Sequence, residues 1–120
     1  MHKYKTCVYA ICRNESALVD RWVASMSEAD SIIVCDTGST DDTVKKLKKR
    51  DVTVYEITVE PWRFDVARNT SLALVPADTD ICVCTDLDEI MEPGWRNWLE
   101  KAWRPGTDCL YFMFIFSFNE

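Results

Sequence analysis

Apolar and polar positions alternate in blocks along the chain, and the blocks switch regularly between two kinds. Thr6 to Cys12 (TCVYAIC), Ser31 to Cys35 (SIIVC), Val52 to Val59 (VTVYEITV), Ile81 to Thr85 (ICVCT) and Cys109 to Phe118 are short apolar or alternating runs, partly β-branched, and read as strands. Between them lie stretches of helical spacing. Leu18, Trp22 and Met26 recur every four residues after Asn14-Glu15-Ser16, which offers N-cap chemistry. Gly38-Ser39-Thr40 turns the chain, and Ser39 is placed to cap a second helix whose Asp41 and Asp42 suit its positive end. That helix closes in Lys45, Lys46, Lys48, Lys49 and Arg50, cations that suit the C-terminal dipole. Pro61-Trp62-Arg63 is a break. Phe64 to Val75 then carries helical spacing, with Phe64, Ala67 or Arg68, Leu72 and Val75 near one face. Pro93-Gly94 opens a fourth helix with Trp95, Trp98, Leu99 and Ala102 as its apolar stripe, and Pro105-Gly106 ends it.

Strands alternating with helices imply parallel pairing and right-handed crossovers. The expected fold is therefore α/β, a three-layer Rossmann-like arrangement with a mostly parallel sheet. Glu15, Asp36, Asp86 and Asp88 each fall at the end of an apolar run. Parallel strands would gather all four along the carboxyl edge of the sheet, where open α/β sheets bind their ligands. Carboxylates crowded there repel one another unless a cation joins them, and a divalent metal is the usual solution. No G-x-G-x-x-G follows the first strand and the chain has three glycines, which speaks against a dinucleotide-dependent dehydrogenase.

Composition narrows the picture further. The 120 residues suffice for one domain with a real core, 48% hydrophobic and 28% charged, as in an ordinary globular protein. A net charge of −6 argues against a nucleic-acid or anionic-membrane surface. Cys7, Cys12, Cys35, Cys82, Cys84 and Cys109 sit inside the apolar runs, where free cysteine behaves as a small hydrophobe. Cys82-Val83-Cys84 lacks zinc-knuckle spacing, and His2 lies in the N-terminal tail, so reduced thiols and a cytoplasmic location are expected. The N-terminus lacks a signal-peptide pattern, and the longest apolar run falls far short of the roughly 20 residues a bilayer requires.

Asp86-Leu87-Asp88 leaves the fourth strand, and residues two apart on an extended chain point the same way, so both carboxylates can face one ligand. Magnesium and manganese take such oxygen ligands, with water and substrate phosphate completing the shell. In Asp36 to Thr43, capping accounts for a hydroxyl and for Asp41 and Asp42, but not for an acid placed directly after a buried strand. Each residue also has a plain alternative: Glu15 as a first-turn helix acid, Arg68 as a surface ion pair, Glu89 as a solvated turn.

Three ordered segments resemble a known family. Arg13-Asn14-Glu15 after an early strand is similar to an "N-E" opening, Asp36 to Thr43 to a "D-D/S-G-S-T-D-D/N-T" stretch, and Ala67-Arg68-Asn69 followed by Asp86-Leu87-Asp88-Glu89 to an "A-R-N … D-A-D-E" pair. Together, from about Thr6 to Trp103, the chain resembles the N-terminal half of an inverting family-2 glycosyltransferase with the GT-A fold. The resemblance implies a nucleotide-diphosphate sugar donor, an acceptor of unknown identity, and Mn²⁺ or Mg²⁺. It places Glu15 and Asp36 against the nucleoside with Arg68 nearby, Asp86 against the ribose, and Asp88 on the metal that bridges the diphosphate, with Asp86 beside it. Arg13 stands where the family commonly has an aromatic. The family's general base lies well beyond the metal motif on the acceptor side, and no residue here is named for it; Glu120 is terminal and a poor candidate.

The chain is accordingly expected to be one partial GT-A domain spanning residues 1–120, or to associate with a second copy through the apolar run at Cys109 to Phe118. A nucleotide-sugar-binding module without turnover is the alternative reading. Two others rank lower. Asp36-Thr37-Gly38-Ser39 matches a dimeric aspartic protease, whose fold is nearly all β, and Asp86-Leu87-Asp88 matches a haloacid-dehalogenase-type phosphatase, whose motif usually follows the first strand.

Overall fold

The computed structural model describes residues 2–108. The run from Cys109 to Phe118, expected as a fifth strand and an association surface, lies outside the described residues. Strand β1 (Thr6–Cys12) leads through a 3₁₀ turn (Ser16–Leu18) into helix α1 (Val19–Met26). There follow β2 (Ser31–Asp36), α2 (Thr43–Lys49), β3 (Thr53–Glu56), α3 (Phe64–Ala73), β4 (Ile81–Cys84) and α4 (Trp95–Ala102). Among the described residues all pairings in the sheet are parallel, in the order β3-β2-β1-β4. Cys12 pairs with Asp36 and Asp36 with Glu56, so the ends of three strands are level.

Alternation along the strands builds the layers. Val8, Ala10, Cys12 and Val34 point to one face, against Val19, Trp22 and Met26 of α1, Leu47 of α2, and Trp95 and Leu99 of α4. Cys7, Tyr9, Ile11, Ile33 and Cys35 point to the other, against Ala67 of α3 and the turn at Leu74 and Val75. β1 lies second from one edge with helices on both faces, which is why all seven of its residues are buried and why its sequence is an unbroken apolar run.

Four local expectations are corrected. β3 stops at Glu56 rather than Val59; Ile57 still donates to the Asp36 carbonyl at 2.8 Å, after which Ile57 and Val59 pack on the Ile11–Cys35–Ala67 cluster as the chain crosses to α3. In α3 the buried stripe is Ala67, which packs on Ile11 and Cys35, and Ser71, whose hydroxyl donates to the Ala10 carbonyl at 3.4 Å, whereas Phe64 and Leu72 are exposed. In α4, Trp95 and Leu99 are buried as expected, but Trp98 is exposed and Arg96 takes the buried place. Its guanidinium donates to the carbonyls of Glu28 (2.7 Å) and Tyr4 (2.8 Å) and to the Asp30 carboxylate (2.6 Å), tying α4 to the entrances of β1 and β2. Finally, Cys82 is exposed: Ile81 and Val83 of β4 face the core, while Cys82 points to the other face, beyond the clusters that cover Cys7, Tyr9 and Ile11 there. Among the described residues no helix is long and apolar enough to cross a membrane.

Candidate functional site

The chain builds outward from β1 through β2 to β3, then returns to the opposite side of β1 as β4. This reversal is the topological switch point at which open α/β sheets leave a crevice beyond the strand ends. A cleft of about 300 Å³ lies there. It is lined by Glu15, Asp86 and Asp88, by Arg13, Thr37 and Trp62, and by Ile11 and Cys12 at the end of β1. Three of the five residues expected at the site are thus brought together on one rim. Asp36 and Arg68 are not among the lining residues; each holds a part of the cleft in place.

Asp36 is 1% exposed. One carboxylate oxygen accepts from the backbone N–H groups of Gly38 (3.1 Å) and Ser39 (2.9 Å), and the other from the Ser39 hydroxyl and the Cys12 thiol (3.4 Å). A carboxylate bound in this way fixes a sharp turn, and Gly38 supplies the φ of 123° that the turn needs. The Ser39 hydroxyl is therefore spent on Asp36 rather than on capping α2. The capping contact comes from Asp41, which accepts from the Thr43 N–H at 3.0 Å and from the Thr43 hydroxyl. That hydrogen bond holds the Asp41 carboxyl below its ordinary range.

Asn14, expected as a helix cap, instead joins two loops. It adopts a left-handed conformation (φ 52°) that Asn tolerates better than most residues. Its carboxamide oxygen accepts from the N–H groups of Thr40 (2.7 Å) and Asp41 (3.3 Å), while its own N–H donates to the Ser39 hydroxyl at 2.8 Å. The Glu15 N–H donates to the Thr43 hydroxyl at 3.0 Å, and the Ser16 hydroxyl to Asp42. The loops after β1 and β2 are in effect one unit, which sets the height of Glu15 above the sheet.

On the other side of β1, Thr85 is buried and accepts from the indole N–H of Trp22 at 3.0 Å. Leu87 is fully buried, so the residues on either side of it, Asp86 and Asp88, are turned outward and both are exposed. Glu89 completes the turn: its carboxylate accepts from the Asp86 N–H at 2.6 Å, and its own N–H donates to the Asp86 carbonyl at 3.1 Å. Oxygens of Asp86, Asp88 and Glu89 all lie within 4.8 Å of one another. This is a hard-oxygen donor set of the kind Mg²⁺ and Mn²⁺ accept, leaving further positions for water and phosphate. Burial pushes the Glu89 carboxyl above its ordinary range, and the charges of Asp86 and Asp88 push the same way. Glu15 is raised likewise, first by burial and then by Asp88 and Asp86 across the cleft. Glu15 and Glu89 are thus made less comfortable as anions by the charges of Asp86 and Asp88, an electrostatic condition that favours recruiting a cation.

Arg68 reaches this turn from α3. It pairs with Asp86 at 2.9 Å, contacts the Cys84 sulfur, and lies 4.8 Å from the centroid of the Phe64 ring. With one carboxylate oxygen of Asp86 engaged by the Arg68 guanidinium and one of Glu89 by the Asp86 N–H, Asp88 is the freest donor of the three. Sequence reasoning puts Glu89 in the matched acidic stretch without a site role, with a solvated turn as its alternative, and reads Trp62 only as part of a chain break. A run of three acids in four positions was a signal for the first; nothing in the sequence pointed to the second.

A parallel α/β sheet with helices on both faces excludes the protease reading of Asp36-Thr37-Gly38, and a D-x-D after the fourth strand does not match the dehalogenase pattern. Sheet order, switch-point cleft and carboxylate rim define a Rossmann-like α/β domain with a ligand crevice at its carboxyl edge, and the chain belongs to glycosyl transferase family 2, whose model matches residues 7–119. It is 28% identical over 101 residues to the lipopolysaccharide core biosynthesis glycosyltransferase LpsC of Rhizobium meliloti (strain 1021), a match covering 82% of this chain and 37% of that protein. Among solved structures it is similar to glucosyl-3-phosphoglycerate synthase from Mycobacterium tuberculosis. Against that enzyme in complex with UDP, and again with Mn²⁺, UDP and phosphoglyceric acid, the TM-score is 0.65 at 29% identity, covering 81% of this chain. The covered share of the synthase is 39% and 38% respectively, and a complex with Mg²⁺ and UDP matches equally well. The chain spans well under half the length of these relatives.

Proposed function

We propose that this chain is the donor-binding part of a metal-dependent glycosyltransferase that takes its sugar from a nucleotide-diphosphate sugar, and that residues 1–120 form part of one GT-A domain. The observation that carries the reading is the meeting of Glu15, Asp86 and Asp88 in one cleft at the switch point, with Glu89 close enough to complete a three-carboxylate donor set. The similarity to a synthase whose structures hold UDP with Mn²⁺ or Mg²⁺ supports it.

In this reading Asp88 and Glu89 hold the metal, with Asp86 beside them and against the ribose. Arg68 keeps Asp86 oriented through the 2.9 Å ion pair. Glu15 meets the nucleoside, and Asp36 serves it from beneath by shaping the loop that presents Thr37. Cleaving the bond between sugar and phosphate leaves a diphosphate carrying extra negative charge, and a bound Mn²⁺ or Mg²⁺ supplies Lewis-acid stabilisation of that charge. The chain's own contribution is to fix the donor's position and to hold an otherwise self-repelling set of carboxylates ready.

Calorimetric titration of UDP, with Mn²⁺ and with a chelator, tests the reading. Binding that depends on Mn²⁺ is the expected result; no UDP binding under either condition overturns it. Release of free UDP from a UDP-sugar marks turnover by the chain itself, whereas metal-dependent binding without release marks a donor-binding module.

A further inference from the structure

The cleft has an aromatic wall that neither the carboxylate motif nor the fold accounts for. Trp62 lines it and is 54% exposed. By contrast Trp22 and Trp95 are 0% and 6% exposed and serve the core. Indole rings carry a large apolar surface and are usually buried when packing is available. The chain on either side of Trp62 is nonetheless tied to the fold. Val59 packs on the Ile11–Cys35–Ala67 cluster, and the Arg63 carbonyl accepts from the Ala67 N–H at 3.1 Å as α3 begins. A ring kept out of the core while its chain is anchored on both sides is presented to the cleft.

Its place in the topology gives it a role. Trp62 belongs to the connection from β3, at the opposite edge of the sheet from β4. Residues from the β3, β2, β1 and β4 sides of the rim meet in one cleft, with the indole contributed from the first and Asp86 and Asp88 from the last. A nucleoside diphosphate has the same polarity: a flat, uncharged base at one end, and anionic oxygens that need a metal at the other. We propose that Trp62 is the stacking platform for the nucleobase of the donor, a binding residue supplied by the β3–α3 connection. This rests on the donor-binding reading above and adds the residue that takes the base.

The test compares UDP with Mn²⁺, and pyrophosphate with Mn²⁺, on the 120-residue chain and its Trp62→Ala and Trp62→Phe variants. Stacking of a base on an aromatic side chain corresponds to roughly a tenfold or larger effect on affinity. Trp62→Ala is therefore expected to weaken UDP about tenfold, to leave pyrophosphate unchanged, and to be largely rescued in Trp62→Phe. Unchanged UDP affinity in Trp62→Ala overturns the proposal, as does an equal loss for UDP and pyrophosphate, which would mark a collapsed cleft. So does a loss confined to a UDP-sugar with UDP itself unaffected, because the ring would then face the sugar. Wild-type chain that binds pyrophosphate and UDP equally also overturns it while leaving the metal site standing; wild-type chain that binds neither removes the donor-binding reading itself.

Discussion

At the scale of single residues, two aspartates of the same rim do different work and so fail differently. Asp88 is exposed and makes no hydrogen bond or ion pair among the described residues, so its carboxylate is available to a cation. Asp88→Asn keeps the shape and removes the charge. Metal-dependent UDP affinity is expected to fall at least tenfold with little change in melting temperature, measured by calorimetry and thermal denaturation side by side. Asp36 is the reverse case. Its two oxygens hold the turn from inside the protein, and an amide can satisfy the two N–H donors with one oxygen but turns its own NH₂ toward the Ser39 hydroxyl and the Cys12 thiol. Leaving such buried groups mismatched costs about 1–3 kcal/mol. Asp36→Asn is therefore expected to lower the melting temperature and to weaken UDP with and without Mn²⁺, because the loop carrying Thr37 loosens. An Asp36→Asn variant of unchanged stability would show that the turn does not depend on the charge.

At the scale of elements, the pole of the sheet opposite the cleft is held by Arg96, and this explains how α4 can carry a buried charge on a face read as apolar. Spacing alone cannot distinguish an arginine at a buried position from one at the surface; what decides is the ring of acceptors around it, from Tyr4 and from the turn holding Glu28 and Asp30, two segments far from α4 in the chain. Asp30 in turn accepts from the Thr6 N–H at 2.9 Å. The hydrogen bond from Arg96, and then that from Thr6, hold its carboxyl below the ordinary value of 3.8. A carboxyl depressed on folding stabilises the native state above its unfolded pKa, and that stabilisation is lost as pH falls through the folded value. Stability is thus expected to drop on acidification below about pH 4, the ordinary carboxylate range. Asp30→Asn should be less stable at neutral pH and should show a flatter acid limb in a series of denaturant melts. An acid limb of unchanged steepness would assign the loss to other carboxylates.

At the scale of the whole molecule, the parallel α/β architecture was legible because β1 and β2 are largely buried and so read as plain apolar runs, and because the rim acids Glu15, Asp86 and Asp88 lie within four residues of the ends of β1 and β4. Where an element meets solvent or lies at an edge, the pattern thinned: β3 is mostly exposed, and its alternation continued past the point where the chain leaves the ladder. The loops were least legible, since Asn14, Ser39 and Thr43 are all good cap residues locally and their actual partners lie 25 to 28 positions away, or in a neighbouring turn. That same long-range stitching has a thermodynamic consequence. The cleft is built from segments around residues 13–15, 37, 62 and 86–88, so a ligand that spans it binds the folded state and has no equivalent in the unfolded chain. At a free concentration one hundred times its dissociation constant such a ligand stabilises by about 2.7 kcal/mol. For a domain of about a hundred residues this raises the melting temperature by on the order of 10 °C. UDP together with Mn²⁺ is expected to produce that shift and a chelator to abolish it, whereas in Asp88→Asn the shift should shrink to what UDP gives without metal. A melting temperature that ignores UDP and Mn²⁺ at saturating concentration would mean that the carboxylate rim, however well assembled, does not join these segments through a ligand.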